Sequence, residues 1–499
     1  MSQKNALAQR ARDIALELTS WPSVTGTPDE AAFAGRFANY LQRSKSLDVW
    51  TEAIPEDALA RSNVFALKRG ASSRMIVLAG HFDTVSFSDY GELAKFALNP
   101  EALRDVMIAR LAQTGENALA LADLTSGDFL PGRGLLDMKS GIAAGLAAME
   151  SYDGEHSLLL MATPDEEDRS AGMRAAAPSL KKLDLRIELV INLDAISDQG
   201  DGSTGRVVAM GSVGKQLVTA FVVGKEAHAS YPGDGANAAY IAAELVTEFE
   251  LAAELEEATG AEIAAPPTAL HARDLKSGYN VTTPAQSFIY WNTLQHRRSA
   301  GEVLEISLAL ARRAVARAEL KTKRQIPVMG FTELAARVKS ESIAPFAQEM
   351  AQCTDLDFPE RSKLLTQQVW QLAGLSGPAV VMGFGSIPYP AVTLKDEKLR
   401  KVIADTVEPL GLGVVEYFAG ISDMSFVGEA TGDFSVVAAN TPIWGTSFTL
   451  SEPAGYPCIN IGPWGRDYHH WLERLSAPYA FETLPKVLLA VIEAVFKTG

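Results

Sequence analysis

The sequence predicts an α/β protein into which a smaller α+β domain is inserted. Continuous apolar runs of strand length recur in the first part of the chain, as is typical of strands that are buried on both faces. Segments with helical spacing separate these runs, so we expect a mixed, largely parallel sheet that is flanked by helices. After Gly205 the pattern changes to longer strands and two long helices, which indicates a second domain.

The first domain is expected to begin with two helices. Apolar residues recur with helical spacing over residues 6–18, and two prolines and a glycine within 21–28 end that helix. A second helix is expected over 29–41, and a third in the small-residue stretch 141–152. Four apolar runs predict buried strands, at 64–67, 75–79, 157–162 and 189–193.

The chain is expected to divide into three segments: a first part of the main domain at 1–206, the insert at 207–329 and a second part of the main domain at 330–499. Four elements fit a compact, ferredoxin-like insert with one open sheet: strand 207–223, helix 237–259, strand 287–295 and helix 301–320. A strand at 379–383 and a closing helix at 481–496 are expected in the second part of the main domain.

The composition indicates a folded protein that does not bind polyanions. The chain has 499 residues, of which 47% are hydrophobic and 21% charged, and its net charge of -16 repels phosphate backbones and anionic lipid surfaces. Neither nucleic acid nor a membrane is therefore an expected partner. The N-terminal residues lack the apolar core of a signal peptide, and the two cysteines, Cys353 and Cys458, are consistent with a reducing compartment. A cytoplasmic location is expected.

Side chains of the types that commonly bind metals follow successive predicted strands. In an open α/β sheet, ligands are held beyond the carboxyl ends of the strands. The residues found there are His81, Asp83, Asp137, Glu166, Glu167 and Asp194. Because several carboxylates in one place repel one another, a bound cation is expected among them. Nitrogen and oxygen ligands favour zinc, with manganese and cobalt as alternatives. His469, near the C-terminus, stands in a comparable setting.

Several of these motifs, taken in order, carry a resemblance. They are Gly80-His81-Phe82-Asp83-Thr84-Val85, Gly132-Arg133-Gly134 with Asp137-Met138-Lys139, Thr163-Pro164-Asp165-Glu166-Glu167, His228-Ala229-Ser230 and the terminal pair His469 and Glu473. The chain resembles the aminoacylase, carboxypeptidase G and succinyl-diaminopimelate desuccinylase family of two-zinc metallopeptidases. Residues 291–298 and the long C-terminal half are most similar to the bacterial arginine-utilisation branch. The resemblance implies a zinc-peptidase-like catalytic domain, with the insert as a lid and dimerisation domain.

The resemblance also implies which residues hold two divalent metal ions. Asp137 would bridge the two metals. His81 and Asp194 would complete one site, and Glu167 and His469 would complete the other.

Further roles follow from the same resemblance. Asp83 would hold the His81 ring by its second nitrogen, and Glu166 would be the general base. His228 would reach the active site of the partner subunit and stabilise the oxyanion. Substrate contacts are expected from Asn280, Arg297 and Arg298.

Two departures from the family pattern concern the substrate. The arginines that clamp a substrate carboxylate in many relatives are replaced, since those places read Trp291-Asn292-Thr293 and Ser422-Asp423-Met424-Ser425. The connection from Asp83 to Asp137 is long, and its helix-like segment 100–114 is expected to cover the cleft and restrict substrates.

The function expected from the sequence is therefore metal-dependent hydrolysis of an amide bond in a peptide, an N-acyl amino acid or a related small molecule, by a homodimer that associates through the insert. The alternative is a catalytically silent relative that keeps the fold as a binding or regulatory subunit. Silent relatives usually lose a ligand or the base, whereas here Glu166 and all five expected ligands are in place.

Overall fold

The computed structural model describes residues 3–198, 205–260, 262–353, 355–418, 420–430, 432, 434–444 and 452–498. Among these residues the α-helices are α1 (Gln3–Thr19), α2 (Pro28–Leu41), α3 (Pro100–Thr114), α4 (Ala118–Ser126), α5 (Ser140–Ser151), α6 (Ala171–Ser179), α7 (Ala238–Phe249), α8 (Ala300–Thr322), α9 (Phe331–Ala335), α10 (Ser340–Gln352), α11 (Phe358–Leu372), α12 (Glu397–Val407), α13 (Met424–Val427), α14 (Phe434–Asn440) and α15 (Leu484–Lys497).

The strands of the described residues, again in chain order, are β1 (Asp48–Ala53), β2 (Ser62–Lys68), β3 (Arg74–His81), β4 (Phe129–Pro131), β5 (Ser157–Thr163), β6 (Arg186–Asn192), β7 (Ile196–Asp198), β8 (Val207–Ala209), β9 (Gly211–Ser212), β10 (Gly214–Val223), β11 (Glu257–Thr259), β12 (Glu262–Ala264), β13 (Thr268–Asp274), β14 (Gln286–Gln295), β15 (Val328–Gly330), β16 (Ala379–Phe384), β17 (Val392–Thr393), β18 (Gly413–Val415), β19 (Cys458–Asn460), β20 (Trp464–Arg466) and β21 (Arg474–Ser476).

The chain divides into two compact units. The first unit consists of Met1–Ser212, Val392–Glu429 and Pro453–Gly499, and the second of Val213–Ala391 and Ala430–Glu452. None of the helices in the described part of the chain has the length and apolar character that a membrane span requires.

The first unit is built around an eight-stranded mixed sheet in the order β1-β2-β5-β3-β6-β19-β8-β18. Its centre is parallel, because β3 pairs in parallel with β5 on one side and with β6 on the other. The apolar runs predicted as buried strands form β2, β3, β5 and β6, and the predicted α/β fold class is confirmed. Helices α5 and α15 pack on this sheet and on each other, and α1 packs on α5.

A second, four-stranded sheet in the first unit has the order β4-β21-β20-β7. In it, β20 and β21 form an antiparallel pair, and the loop that joins them is residues 467–473, called the β20–β21 loop below. On the other side of β20, β7 pairs in parallel, and β4 pairs with β21.

The second unit contains a five-stranded sheet in the order β13-β14-β10-β16-β15. Helices α7 and α8 pack on one another and contact this sheet. The predicted strand 207–223 is interrupted and forms β8, β9 and β10. The predicted helix 237–259 ends early, at Phe249, and the next side chain, Glu250, accepts hydrogen bonds from Thr268 and Ala269 of β13.

One predicted assignment to the main domain is wrong. The apolar run at 379–383 forms β16, which pairs antiparallel with β10 from Val218–Phe384 to Val223–Ala379 and therefore belongs to the second unit. All of its residues are buried. An apolar run that is buried on both faces fits either sheet equally well, so its partner is decided by pairing over a long sequence distance.

Candidate metal centre

The candidate ligands of the first unit meet because three parallel strands end at one edge of the large sheet. His81 is the last residue of β3, and Thr163, its partner in register, is the last residue of β5. Glu166 and Glu167 follow β5, and Asp194 follows β6. The carboxyl ends of neighbouring parallel strands lie side by side, so that these side chains converge.

Two further residues reach the same place from other elements. Asp137 lies in the turn that immediately precedes α5, and His469 lies in the β20–β21 loop. His469 has a left-handed backbone conformation, with a φ of 63°. A non-glycine residue adopts this conformation only at a cost, which surrounding contacts must offset.

The structure gathers the five expected ligands into two clusters that share one carboxylate. In one cluster, His81 Nε2 lies 3.1 Å from Asp137 Oδ1 and 3.7 Å from Asp194 Oδ1. In the other, His469 Nε2 lies 3.1 Å from Asp137 Oδ2 and 3.1 Å from Glu167 Oε2. The donor atoms within each cluster all lie within 4.8 Å of one another. Because each oxygen of Asp137 faces a different cluster, this carboxylate is suited to bridge two cations.

The electrostatics of these clusters fit divalent cations. Burial raises the pKa of Asp194 and of Glu167, because a charged carboxylate is poorly solvated there. Burial acts against the charge of the His469 ring, but Asp137 and Glu167 outweigh it and raise the pKa of His469 to about 10. The clusters thus carry more negative charge than a poorly solvated site favours, and bound cations would neutralise that charge.

Asp83 differs from its expected role in one respect. The atom that accepts the hydrogen bond from His81 Nδ1, over 3.0 Å, is the backbone carbonyl oxygen of Asp83, whereas its carboxylate lies 3.6 Å from that nitrogen. The carboxylate oxygens instead accept hydrogen bonds from the backbone N–H groups of Glu166 and Glu167, over 3.1 and 3.2 Å. Asp83 therefore fixes the backbone of both glutamates.

Glu166 and Glu167 point to different parts of the site. Glu167 belongs to the cluster around His469, whereas the nearest Glu166 oxygen lies 4.0 Å from His81 Nε2, in neither cluster. Burial raises the pKa of Glu166 well above its ordinary value, and the negative charges of Asp194 and Asp423 add to this effect, although the His81 ring opposes it. A carboxylate that lies beside candidate metal sites without belonging to either is suited to accept a proton.

Sequence reasoning missed two groups that support this site. Asp423 is fully buried and accepts a hydrogen bond from Thr163 Oγ1 over 2.9 Å, and burial raises the pKa of Asp423 to about 7. The only signal for it was its place in Ser422-Asp423, where family members carry Ser-Asp-Gly-Arg. Arg61 donates to the carboxylates of Glu30 and Asp165, and Asp165 directly precedes Glu166. Nothing in the local pattern around Arg61 indicates this.

The second unit carries the remaining expected residues. His228 is exposed and forms an isolated β-bridge with Thr282, which places it beside the exposed Asn280. Its Nδ1 accepts a hydrogen bond from the backbone N–H of Ser230 over 3.2 Å. Asn280 Oδ1 accepts hydrogen bonds from the N–H and hydroxyl groups of Thr282, over 3.2 and 2.6 Å.

Arg297 and Arg298 do not lie beside His228 within this unit. They follow β14, whose last residue, Gln295, pairs with the first residue of β10, whereas His228 follows the other end of β10. The ten-residue length of β10 separates the two ends by roughly 30 Å. Asn280 and the two arginines are therefore too far apart within one chain to contact the same small substrate.

Residues 77–461 match the model of Peptidase family M20/M25/M40. The chain belongs to this family. The family predicted from the motifs is thereby confirmed, and membership of the M20/M25/M40 family places the chain among hydrolases of peptide or amide bonds.

Related proteins align with between 59% and 96% of this chain. The uncharacterized protein YqjN of Bacillus subtilis (strain 168) is 30% identical over 96% of this chain and 95% of its own length. Protein RocB of the same organism is 28% identical over 96% of this chain and 94% of its own length. The succinyl-diaminopimelate desuccinylase of a Nitratiruptor species is 24% identical over 59% of this chain and 70% of its own length.

Solved structures share the M20 fold. A tripeptidase from Staphylococcus aureus superposes with a TM-score of 0.55 at 17% identity, covering 98% of this chain and 99% of its own. The YxeP protein of Bacillus subtilis, described as a dinuclear metal-binding peptidase from the M20 family, has a TM-score of 0.51 at 12% identity and covers 99% of each chain.

Proposed function

We propose that this chain hydrolyses the amide bond of a peptide, an N-acyl amino acid or a related small molecule, using two divalent metal ions. The observation that carries the proposal is the shared carboxylate of Asp137, whose two oxygens face two separate clusters of candidate ligands. His81 and Asp194 hold one metal, and Glu167 and His469 hold the other.

The donor set supports the metals proposed. Each site offers one imidazole nitrogen and carboxylate oxygens, which suits zinc, with cobalt and manganese as alternatives. The description of the related YxeP protein as a dinuclear metal-binding peptidase supports the number of metals. When bound, such a pair of metals polarises the scissile carbonyl and lowers the pKa of a water molecule.

Glu166 is the proposed general base. Its backbone N–H is held by the Asp83 carboxylate, so the side chain starts from a fixed position. The Glu166 carboxylate takes the proton from the attacking water and passes it to the nitrogen of the leaving amine. It is available for this because it belongs to neither candidate metal cluster.

His228 is the proposed oxyanion donor. Because Nδ1 accepts a hydrogen bond from Ser230, the ring hydrogen of the neutral imidazole lies on Nε2, where it can be donated to a developing oxyanion. His228 is exposed on its own unit, which fits a role at a site of the partner subunit. Asn280, on the neighbouring segment, is the proposed substrate contact beside it.

The second unit is the proposed lid and dimerisation domain of a homodimer. Among the described residues its sheet ends at β13, which pairs with β14 and displays the large apolar side chain of Leu270, 57% exposed. An edge strand of this kind is a ready surface for pairing with a second chain.

The test is a substrate panel. Protein loaded with zinc, cobalt or manganese is incubated with dipeptides, N-acyl amino acids and ureido compounds, and release of the free amine is followed by mass spectrometry. The Glu166→Gln chain, prepared in the same way, is the matched control. We expect turnover of at least one class by the wild-type chain only. Metal binding without turnover of any compound would favour the silent alternative.

A further inference from the structure

Residues 84–128, most of the connection between β3 and β4 and called the β3–β4 connection below, fold as a small subdomain within the first unit. Helices α3 and α4 pack together, and their buried apolar residues form a separate core. This core includes Leu103, Met107 and Leu111 of α3 and Leu124 of α4, and it also contains Tyr90, which precedes α3. This long connection is the segment expected to cover the cleft, and its contacts indicate a further role.

The β20–β21 loop, which carries His469, is closed by two arginines that face each other. Arg466 and Arg474 are direct partners in the antiparallel pair, and two like charges in this position repel. Asp123, from α4, lies against both. It accepts hydrogen bonds from Arg466 Nη1 over 2.9 and 2.7 Å, and from Arg474 Nε over 2.8 Å. Asp123, a residue of the β3–β4 connection, thus bridges the two like charges at the base of the loop, and Asp198 lies 3.4 Å from Arg466 Nε.

Arg474 extends this support into the loop itself. Its side chain is fully buried, and Nη1 donates to the Asp467 carboxylate and, over 3.1 Å, to the backbone oxygen of Leu472. Asp467 has a φ of 54° and His469 a φ of 63°. These two contacts therefore hold both ends of a loop that contains costly backbone conformations.

Apolar contacts join the same two segments. Leu472 is buried within the core formed by α3 and α4, and Trp471 packs against that core. The guanidinium of Arg110, on α3, lies 4.9 Å from the centre of the Trp471 ring. The β20–β21 loop is therefore fixed to the β3–β4 connection along its length as well as at its base.

We propose that the β3–β4 connection sets the position of His469, with Asp123 as a positioning residue. This inference rests on the proposed function, because it assumes that His469 holds a metal. Asp123 acts through Arg466 and Arg474 and contacts neither cluster. Its loss loosens the loop and weakens the metal site formed with Glu167, while the site formed by His81 and Asp194 is unaffected.

The test measures the affinity of each metal site by calorimetric titration of the metal-free chain with zinc. Asp123→Asn is compared with Asp105→Asn, the same change at an exposed position of α3. Groups that orient metal ligands typically contribute about 10- to 100-fold to metal affinity. We expect a loss of that size at one site in Asp123→Asn, an unchanged second site, and wild-type behaviour in Asp105→Asn.

A double variant separates positioning from general damage. His469→Ala removes the ligand through which Asp123 acts, so adding Asp123→Asn to it lowers the affinity of the remaining site no further. A further loss in the double variant, wild-type affinity in Asp123→Asn, or an equal loss at both sites would each overturn the proposal. Failure of the wild-type chain to bind a second metal would instead overturn the proposed function itself.

A surface variant covers the case in which Asp123→Asn does not fold. Arg110→Gln removes the exposed cation–π contact with Trp471 and leaves the buried groups intact. We expect about a twofold to fivefold loss of affinity at the same site, the range that an exposed cation–π contact supports. Wild-type affinity at both sites in Arg110→Gln would then overturn the proposal.

Discussion

Arg133 donates from Nη1 to Glu473 Oε2 over 2.7 Å, and both side chains are sealed from solvent. Glu473 also accepts hydrogen bonds from the backbone N–H of Gly134, over 3.2 Å, and of His469, over 3.3 Å. The pair therefore links the turn that leads to Asp137 with the loop that carries His469.

Replacing Arg133 with Met is expected to destabilise the first unit strongly. The change leaves the buried Glu473 carboxylate without its cation, and breaking a buried pair in this way costs about 3–5 kcal/mol. The measurement is the free energy of unfolding in urea, with metal-free protein. Arg12→Met, which removes an exposed ion pair with Glu101, is the control and should cost at most about 1 kcal/mol. Equal losses in both variants would contradict this account.

The chain is expected to bind two divalent ions, because Asp137 is shared between two clusters and a single ion would leave the carboxylates of the other uncompensated. Elemental analysis after loading with zinc and desalting counts them. His469→Ala should retain one ion. A wild-type chain with no bound zinc, cobalt or manganese after loading would refute the metal assignment.

Changing Glu166 to Gln should leave both metals bound and lower kcat by about 10²- to 10⁴-fold, because an amide cannot accept the proton of the attacking water. Glu167→Gln is the matched comparison, and it should lose metal as well as activity. Turnover and metal content are measured on the same preparations. Near-wild-type kcat in Glu166→Gln would mean that another group is the base.

His228→Ala should lower kcat by about 10²- to 10³-fold, the usual effect of removing an oxyanion donor. Mixing His228→Ala chains with Glu166→Gln chains should restore activity, since a mixed dimer has one site with both groups intact. Equal mixing gives about half mixed dimers, and so about a quarter of the wild-type activity. If mixed dimers form but show no recovery, His228 does not act on the partner's site.

Glu30 is expected to make the free energy of unfolding of this chain depend on pH. Burial, reinforced by the charge of Asp83 and opposed by the Arg61 guanidinium that donates to this carboxylate, raises the pKa of Glu30 from 4.5 to about 8. The folded chain therefore binds this proton more tightly than the unfolded chain. The resulting stabilisation is complete below pH 4.5 and is lost as the pH rises through about 8.

Glu30→Gln removes this titration and keeps the shape of the side chain. The free energy of unfolding of the wild-type chain should fall relative to that of the variant as the pH rises, by at most about 1.4 kcal/mol per pH unit. Urea unfolding of both chains at several pH values measures the difference. Parallel pH profiles would show that Glu30 is ionised in the folded chain.

The sequence by itself determined the α/β class and the residues at the ends of β3, β5 and β6. A strand that is buried on both faces requires a continuous apolar run, and the polar residues after the run mark where the strand ends. Both signals lie within a short stretch of sequence and can be recognised without knowing the fold. The separate roles expected of Glu166 and Glu167 came from the family resemblance, and they agree with the fact that adjacent residues at a strand end point in different directions.

Only the tertiary structure decided which distant groups support those residues. Asp123 and Arg466 are separated by 343 positions, and Arg61 and Asp165 by 104. The structure also showed that the Asp83 carbonyl, and not its carboxylate, accepts the hydrogen bond from His81, and that β16 pairs in the second unit. Periodicity reports whether a residue is buried. It carries no information about the partner it meets, because that depends on how separate elements pack.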